Sequence, residues 1–317
     1  MHMADALFSP AVGGTLWAAS GAAVAVASRG VRREGDDRKV PLMGVAGAFV
    51  FAAQMVNFAI PGTGSSGHVG GGLLLAILLG PDAALLVMTS VLALQALFFA
   101  DGGLLALGAN VFNLGVVPAY LVQPLLWRPL AGPRPGGRRF AAATVVAAVT
   151  ALQLGAFGVV LETTLSGITS LPFVPFLLSM QPIHLAIGLV EGVATAAVLS
   201  FVARARPELL SPDLHEDAPR RSPGPFVVGI FAAALFTGGV VALFASGRPD
   251  GLEWSVARVA SAHGAPAPAS PAAPAAPAAP VRPAPPERES SRLAALAGVV
   301  LTLAIVSGAG FLLARRA

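Results

Sequence analysis

The sequence from residue 61 to residue 79 reads Pro-Gly-Thr-Gly-Ser-Ser-Gly-His-Val-Gly-Gly-Gly-Leu-Leu-Leu-Ala-Ile-Leu-Leu. Its apolar part begins near Val69 and ends at Leu79, which is too short for a helix that must cross ~30 Å of hydrocarbon at ~1.5 Å per residue. The glycine-rich part before it cannot lie against lipid, because its backbone polar groups would stay unpaired there. We therefore expect this loop to turn inward and to be buried by the rest of the protein.

The composition around this stretch is that of a membrane protein. The chain has 317 residues, of which 55% are hydrophobic and 11% are charged, and its mean hydropathy is +0.76. A soluble domain has about 25% charged residues. We predict an all-α polytopic protein of the lipid bilayer, a bundle of seven spans followed by two more, at residues 7–28, 40–60, 69–79, 83–100, 104–127, 140–161, 173–203, 226–245 and 292–313.

The basic residues predict the orientation. They cluster after the first, fifth and seventh spans and at the C-terminus, while the outer loops among the first seven spans contain no Lys or Arg. Because cytoplasmic loops carry the excess of basic residues, we expect an extracytoplasmic N-terminus and a cytoplasmic C-terminus. The same distribution explains the net charge of +4 without nucleic acid as a partner, since no basic face with interleaved aromatic residues is present.

A polar, proline-containing segment divides the chain. We predict a seven-span domain at residues 1–204, a cytoplasmic linker at 205–224 and a two-span domain at 225–317. The second domain includes an extracytoplasmic loop whose Ala/Pro repeats, from Ala265 to Pro286, are typical of an extended, flexible spacer.

The first two residues form a potential chelating unit. The Met1 amine, the His2 amide nitrogen and the His2 imidazole can bind one metal ion in a plane. Such coordination suits Ni²⁺ or Cu²⁺ and can also hold Co²⁺, whereas Zn²⁺ prefers a tetrahedron. No cleavable signal is evident, and the bulk of His2 is expected to protect Met1 from removal. The chain has no Cys, which excludes thiolate ligands and disulfides. A His at position two can also be incidental, and that alternative stays open.

His68 is the candidate for a fourth nitrogen, because it is predicted on the same outer side and in a buried loop. Gln54 and Asn57, at the outer end of the second span, could orient His2 or His68, and so could Ser66 in the loop. Contacts between helices explain Gln54 and Asn57 equally well. Packing between helices is also the default interpretation of two further polar residues in a span, His184 and Glu191.

The chain resembles a known family over about residues 1 to 204. It is similar to the cobalt/nickel substrate-binding membrane subunit of energy-coupling-factor transporters. The resemblance rests on Met1-His2 with Phe8-Ser9-Pro10, Phe51 to Phe58, Ser66-Gly67-His68 with Gly71-Gly72, Ile77 to Pro81, Gln95 to Leu97, Asp101-Gly102-Gly103, Leu107 to Asn110, and His184 with Ile187-Gly188 and Glu191-Gly192. The segment Met3-Ala4-Asp5-Ala6 departs from the family, which usually has Pro-Asp-Gly after its third residue.

A second resemblance lies in the C-terminal part. Pro249-Asp250-Gly251-Leu252-Glu253 is similar to the pentapeptide that names the PDGLE domain, which is often fused to the metal subunit and is considered accessory.

The family resemblance implies a seven-span helical subunit with an inward-folded N-terminal segment. It also implies a metal site made by Met1, His2 and His68. The metal would be the transported substrate, with nickel and cobalt both possible and no organic cofactor. The partners implied are a transmembrane coupling subunit and cytoplasmic ABC ATPase subunits, since the chain has no Walker motif of its own and is not expected to be an enzyme. Two alternatives stay open, a stand-alone secondary metal transporter or channel and a structural membrane assembly protein.

Overall fold

The structure is a computed structural model that describes residues 2–36, 39–132, 135–210, 224–264 and 287–314. Met1 therefore lies outside the described residues. So do most of the predicted linker at 205–224, the Ala/Pro segment and the last two arginines.

The described chain is helical apart from one short hairpin. Seven of the described helices are long and apolar enough to span a membrane, which confirms an all-α polytopic membrane protein. The elements are α1 (Pro10–Glu34), α2 (Lys39–Gln54), β1 (Phe58–Ala59), β2 (Ser66–Gly67), α3 (Gly72–Leu79), α4 (Pro81–Phe98), α5 (Leu107–Val111), a π-helical stretch (Phe112–Trp127), α6 (Arg128–Ala131), α7 (Gly137–Ser166), α8 (Phe173–Ala205), α9 (Gly224–Gly239), α10 (Gly251–Ala262) and α11 (Glu287–Ala314).

Two predicted span boundaries were wrong, and one helix was not predicted. The second span ends at Gln54 rather than near residue 60, and α2 is consequently shorter than a full crossing. The third span shortens to the eight residues of α3, because Gly71 takes a left-handed conformation (φ 75°) and holds the chain before it out of the helix. The helix α10 was missed, because the segment after residue 246 was read only as a loop.

The start of α10 has a clear local cause. The Asp250 carboxylate accepts a hydrogen bond from the Glu253 backbone N–H at 2.8 Å, and the Glu253 side chain accepts one from the Asp250 N–H at 3.4 Å. This reciprocal capping pairs two backbone donors that the first turn of a helix leaves unpaired. The pentapeptide around Asp250 is therefore a helix start as well as a motif.

The glycine-rich loop is buried in part, at residues 65–67 and 70–72, while Pro61, Gly62 and Gly64 at its start are exposed. It folds into a two-stranded hairpin in which Phe58 pairs with Gly67 and Ala59 pairs with Ser66. The side chains of Ser65 and Ser66 are fully buried. The Ser66 N–H donates to the Pro249 carbonyl at 2.8 Å, so this outward backbone group of the hairpin is paired within the protein.

The helices α1 and α5 come unusually close, and this contact frames the N-terminal segment. A Cβ atom on Gly108 would lie 2.4 Å from the Trp17 backbone nitrogen, so only glycine fits there. The Ser20 hydroxyl donates to the Gly108 carbonyl at 2.6 Å, and the Trp17 indole N–H donates to the Leu104 carbonyl at 2.8 Å. The start of α1 is thereby fixed against the chain between α4 and α5.

The C-terminal helices pack onto the rest of the bundle. The helices α9 and α11 lie against α2, and α10 lies against α8. The contact of α11 with α2 is tight, because a Cβ atom on Gly298 would lie 1.8 Å from the Phe51 ring. The C-terminal part is thus packed against the N-terminal bundle along most of its described length.

Candidate metal centre

The N-terminal segment runs into the interior beside α5. Met3 is fully buried. Its backbone N–H donates to the Asn110 side-chain oxygen at 2.8 Å, and its carbonyl accepts from the Asn110 side-chain nitrogen at 3.2 Å and from the Gly103 N–H at 2.8 Å. Asn110 therefore pairs with both backbone groups of Met3. This pairing fixes the residue that follows His2.

Asp5 adds a second anchor to the same segment. Its carboxylate accepts a hydrogen bond from the Ala106 N–H at 3.0 Å, just before α5. Asp5 does not cap α1, whose capping residue is Ser9. A Cβ atom on Gly103 would lie 1.8 Å from the Asp5 carboxylate, so the turn after Asp101 must be glycine to admit the N-terminal segment.

The two predicted histidines come together at this point. The rings of His2 and His68 lie 4.9 Å apart between centroids, with planes inclined by 32°. The His2 side chain is only 3% exposed. Residues 66 positions apart in the sequence therefore meet at one place.

The His2 ring has a carboxylate partner. Its Nδ1 lies 2.8 Å from the Asp101 carboxylate, which can only accept, so Nδ1 carries the proton. The other ring nitrogen, Nε2, is buried and has no hydrogen-bond partner in the described part of the chain. A carboxylate on one nitrogen and an open lone pair on the other is the arrangement that metal-binding histidines usually have.

The electrostatics favour neutral imidazole and ionised carboxylate. Burial, helped by repulsion from His2, lowers the pKa of His68 to about 3, so its ring is neutral at physiological pH. Burial alone would raise the pKa of Asp101, but attraction to His2 and their hydrogen bond hold it well below its usual range. Neutral imidazole is the form that binds a metal ion.

Side chains of α8 and α2 form hydrogen bonds with the backbone of the His68 loop. The Glu191 carboxylate accepts from the N–H groups of Gly70 and Gly71 at 2.7 and 3.0 Å. The Gln54 side chain donates to the Gly70 carbonyl at 2.7 Å and accepts from the Gln95 side chain at 2.8 Å. Glu191 therefore supports the loop. The sequence-based interpretation of Glu191 as a residue that packs between helices did not predict this role.

The other two candidates for orienting the histidines connect the loop to the C-terminal part. The Ser66 hydroxyl donates to the Arg248 carbonyl at 2.7 Å, and the Ser66 N–H donates to the Pro249 carbonyl at 2.8 Å. The Asn57 carbonyl accepts from the Ser246 N–H at 2.7 Å, while its side-chain oxygen is buried. The Gln54 and Ser66 side chains thus each donate to a backbone carbonyl, Gln54 to that of Gly70 and Ser66 to that of Arg248.

Three residues of this centre were not singled out for it from the sequence. Asp101 and Asn110 were named only as part of the resemblance, and the default interpretation of Glu191 was packing between helices. Buried polar side chains in apolar segments are the signal that points to them, since such groups are retained where they bind something.

Comparison with known proteins identifies the family. The model of the cobalt uptake substrate-specific transmembrane region, CbiM, matches residues 2–209, about two thirds of the chain. The chain belongs to the CbiM family. Residues 224–315 match the PDGLE domain. The metal-uptake family and the fused accessory domain expected from the sequence are both confirmed.

Individual CbiM relatives agree with this assignment. A protein of Haloquadratum walsbyi, whose name describes a metal transport protein, is 39% identical over 217 residues, 66% of this chain and 93% of that one. The fused nickel transport protein NikMN of Rhodobacter capsulatus is 32% identical over 236 residues, 70% of this chain and 67% of that one. The crystal structure of a truncated transition metal transporter is 30% identical, with a TM-score of 0.55, and covers 65% of this chain and 99% of that one.

Proposed function

We propose that this chain is the substrate-binding subunit, or S component, of an ATP-driven energy-coupling-factor importer, and that it captures extracytoplasmic Ni²⁺ or Co²⁺. The proposal depends on one observation above all. The His2 and His68 rings lie 4.9 Å apart between centroids, and the His2 side chain is only 3% exposed. Two imidazoles at this separation can occupy neighbouring positions around one metal ion.

The remaining donors come from the start of the chain. We propose that the Met1 amine and the His2 amide nitrogen complete a set of nitrogens with the imidazoles of His2 and His68. Within the described ranges, no three side chains of His, Cys, Asp or Glu are grouped closely enough to hold a metal ion. Backbone nitrogens supply the missing ligands, and four nitrogens in a plane suit Ni²⁺ and can hold Co²⁺.

The position of the His2 ring sets a condition on this chelate. A fused ring with the amide of the same residue is closed by Nδ1, which is the ring nitrogen nearer the backbone. That nitrogen is bonded to Asp101 at 2.8 Å in the structure. Loading therefore requires the His2 ring to exchange Asp101 for the metal ion, so Asp101 holds the imidazole in place until the ion arrives.

Energy for transport would come from partners. The chain contains no Walker motif, and the CbiM family is one of metal uptake. We propose a transmembrane coupling subunit and cytoplasmic ABC ATPase subunits as its partners. The orientation follows from the basic loops, with the N-terminus and the metal centre extracytoplasmic and the C-terminus cytoplasmic.

The test of the ligand set is equilibrium binding of Ni²⁺ and Co²⁺ to the purified chain. The native start, verified by N-terminal sequencing, is compared with a form carrying one extra residue before Met1. The extension displaces the amine and leaves both imidazoles in place. We expect the affinity to fall by about 100-fold or more, which corresponds to about 2.7 kcal/mol. Equal affinity of the two forms would overturn the proposed ligand set.

The orientation has a separate test, for which the lack of cysteine is convenient. Single cysteines replace exposed residues on the two predicted sides, in Arg33→Cys in the last turn of α1 and Ser261→Cys at the end of α10. A membrane-impermeant thiol reagent added to intact cells should label Ser261→Cys and not Arg33→Cys. The reverse pattern would refute the orientation and leave the ligand set untouched.

A further inference from the structure

A small cavity lies directly behind the His68 loop, between α8 and the start of α10. Its polar lining consists of the side chains of His68, His184 and Asp250, and its apolar lining includes Leu114, Leu152 and Ile187. The cavity therefore adjoins the proposed chelate on one side and the PDGLE motif on the other. His184 and Asp250 do not belong to the ligand set proposed above.

His184 brings an unused nitrogen to this cavity. The side chain is fully buried in α8, and its Nδ1 donates to the Met180 carbonyl at 2.8 Å. Nε2 therefore carries the lone pair, and it has no hydrogen-bond partner in the described part of the protein. A buried polar atom without a hydrogen-bond partner destabilises the fold, because it has lost its water without gaining another partner. Because this nitrogen lies on the wall of a cavity, a ligand bound in the cavity can pair with it.

Asp250 brings a carboxylate from the other domain. One of its oxygens caps α10 through the Glu253 N–H, and the side chain lines the cavity. Its approach to α8 is close, because a Cβ atom on Gly251 would lie 2.6 Å from Ile183 and 3.3 Å from the His184 ring. A larger residue at position 251 would push the carboxylate away from the imidazole.

Ser66 fixes this approach from the side of the loop. Its hydroxyl and its N–H donate to the carbonyls of Arg248 and Pro249, the two residues before Asp250. His68 follows Ser66 by two residues, so the contact links the loop that carries His68 to the residue that carries the cavity carboxylate. The cavity therefore exists only while the C-terminal domain is docked.

We propose that this cavity is a transient site for the transported cation, in which His184 Nε2 and the Asp250 carboxylate hold a divalent transition-metal ion before His2 and His68 take it. Imidazole and carboxylate are common ligands of such ions. Two protein donors hold an ion weakly, as a site on a path requires, since the ion must leave for the stronger nitrogen chelate. This inference rests on the proposed function and gives the C-terminal domain a direct part in loading.

The test separates the rate of loading from the final affinity. Ni²⁺ association with the purified full-length chain is followed by stopped-flow, and the equilibrium affinity is measured on the same samples. His184→Asn retains a donor for the Met180 carbonyl but removes the cavity nitrogen, whereas His184→Gln extends an amide toward the position of Nε2. Asp250→Asn removes the charge and keeps a good capping residue.

The transient site predicts slower loading without weaker binding. We expect association to slow by about tenfold in His184→Asn and in Asp250→Asn, which corresponds to about 1.4 kcal/mol in the barrier. Dissociation should slow equally, so the affinity stays within about twofold, or about 0.4 kcal/mol. His184→Gln should lie between His184→Asn and the wild type. Unchanged association in both variants would overturn the inference, and so would an affinity loss that parallels a loss of thermal stability.

A second measurement detects the transient ion directly. In a His2→Ala chain the proposed chelate is lost, and Co²⁺ should still bind weakly, with an absorption band of imidazole-bound cobalt. Adding His184→Asn should abolish that band. A band that persists would refute the assignment. Failure of the proposed function looks different, since the wild-type chain would then bind Ni²⁺ no more tightly than the chain extended before Met1.

Discussion

Glu191, on α8, accepts a hydrogen bond at 2.7 Å from the backbone N–H of Gly70, two residues after His68. The same carboxylate accepts a second bond from the Gly71 N–H at 3.0 Å. A side chain deep in a spanning helix therefore sets the path of the loop that carries one proposed ligand. The position of His68 depends on α8 as much as on its own loop.

Replacing Glu191 should weaken metal binding through this loop. Glu191→Ala leaves two buried N–H groups unpaired at a cost of about 1–3 kcal/mol each. Glu191→Gln accepts one N–H and turns its own NH₂ toward the other. Removing a group that orients a ligand typically costs about 10–100-fold in metal affinity. We expect both variants to lose Ni²⁺ affinity in a titration.

The matched control for Glu191 is Glu162→Gln. Glu162 is a second buried carboxylate, on α7, which accepts from the Asn113 side chain rather than from the loop. The Glu162→Gln variant should be less stable than the wild type, but its Ni²⁺ affinity should change by no more than about twofold, or about 0.4 kcal/mol. Equal loss of affinity in Glu162→Gln and Glu191→Gln would contradict a specific role for Glu191.

Asn110 should be required to hold the N-terminal segment. Its side chain pairs with both backbone groups of Met3, and Asn110→Asp keeps the acceptor for the N–H while losing the donor for the carbonyl. We expect Asn110→Asp to bind Ni²⁺ at least about tenfold more weakly, which corresponds to about 1.4 kcal/mol. Isothermal titration checks this result. Wild-type affinity in this variant would show that the Met3 contact does not position His2.

Metal binding should release protons. Coordination by the amide nitrogen of His2 displaces its proton, and the amine must also be unprotonated, so affinity should increase as pH rises toward and past the amine's ordinary pKa of about 8. His68 contributes little to this dependence, because burial lowers its pKa to about 3 and the ring is neutral throughout. Calorimetry in buffers of different ionisation enthalpy gives the number of protons. A chain extended before Met1 should release fewer, and equal release would count against amide coordination.

The packing of α11 on α2 should depend on one glycine. In Gly298→Ala, the added Cβ would lie 1.8 Å from an atom of the fully buried Phe51 ring. Overpacking of this kind costs about 1–3 kcal/mol, so the thermal midpoint of the purified chain should fall. Gly308→Ala, on the same helix with no atom within 4 Å of the added Cβ, is the control and should leave the midpoint unchanged. Equal midpoints for the two variants would mean that α11 does not pack as described.

The sequence alone predicted several features for clear physical reasons. Apolar runs of spanning length identify membrane helices regardless of context, because hydrocarbon requires every backbone group to be paired within the segment. The polar loop before the short run at residues 69–79 had to be buried for the same reason. The dipeptide Met1-His2 and the lone His68 were recognisable as potential nitrogen donors from their chemistry.

Other features were decided only by tertiary structure. Asp101, Asn110 and Glu191 reach the centre from three different segments, and no local pattern says which buried polar group meets which loop. The hydrogen bonds from Ser66 to the carbonyls of Arg248 and Pro249 join residues more than 180 positions apart.

The sequence by itself determined the class of protein, the membrane spans in outline and the two imidazoles, because these follow from hydropathy and side-chain chemistry at single positions. Only the tertiary structure decided that the His2 ring is hydrogen-bonded to Asp101 and that Glu191 holds the His68 loop. It also decided that the C-terminal domain closes a cavity beside that loop. Such contacts depend on the packing of distant helices, which local preference does not encode.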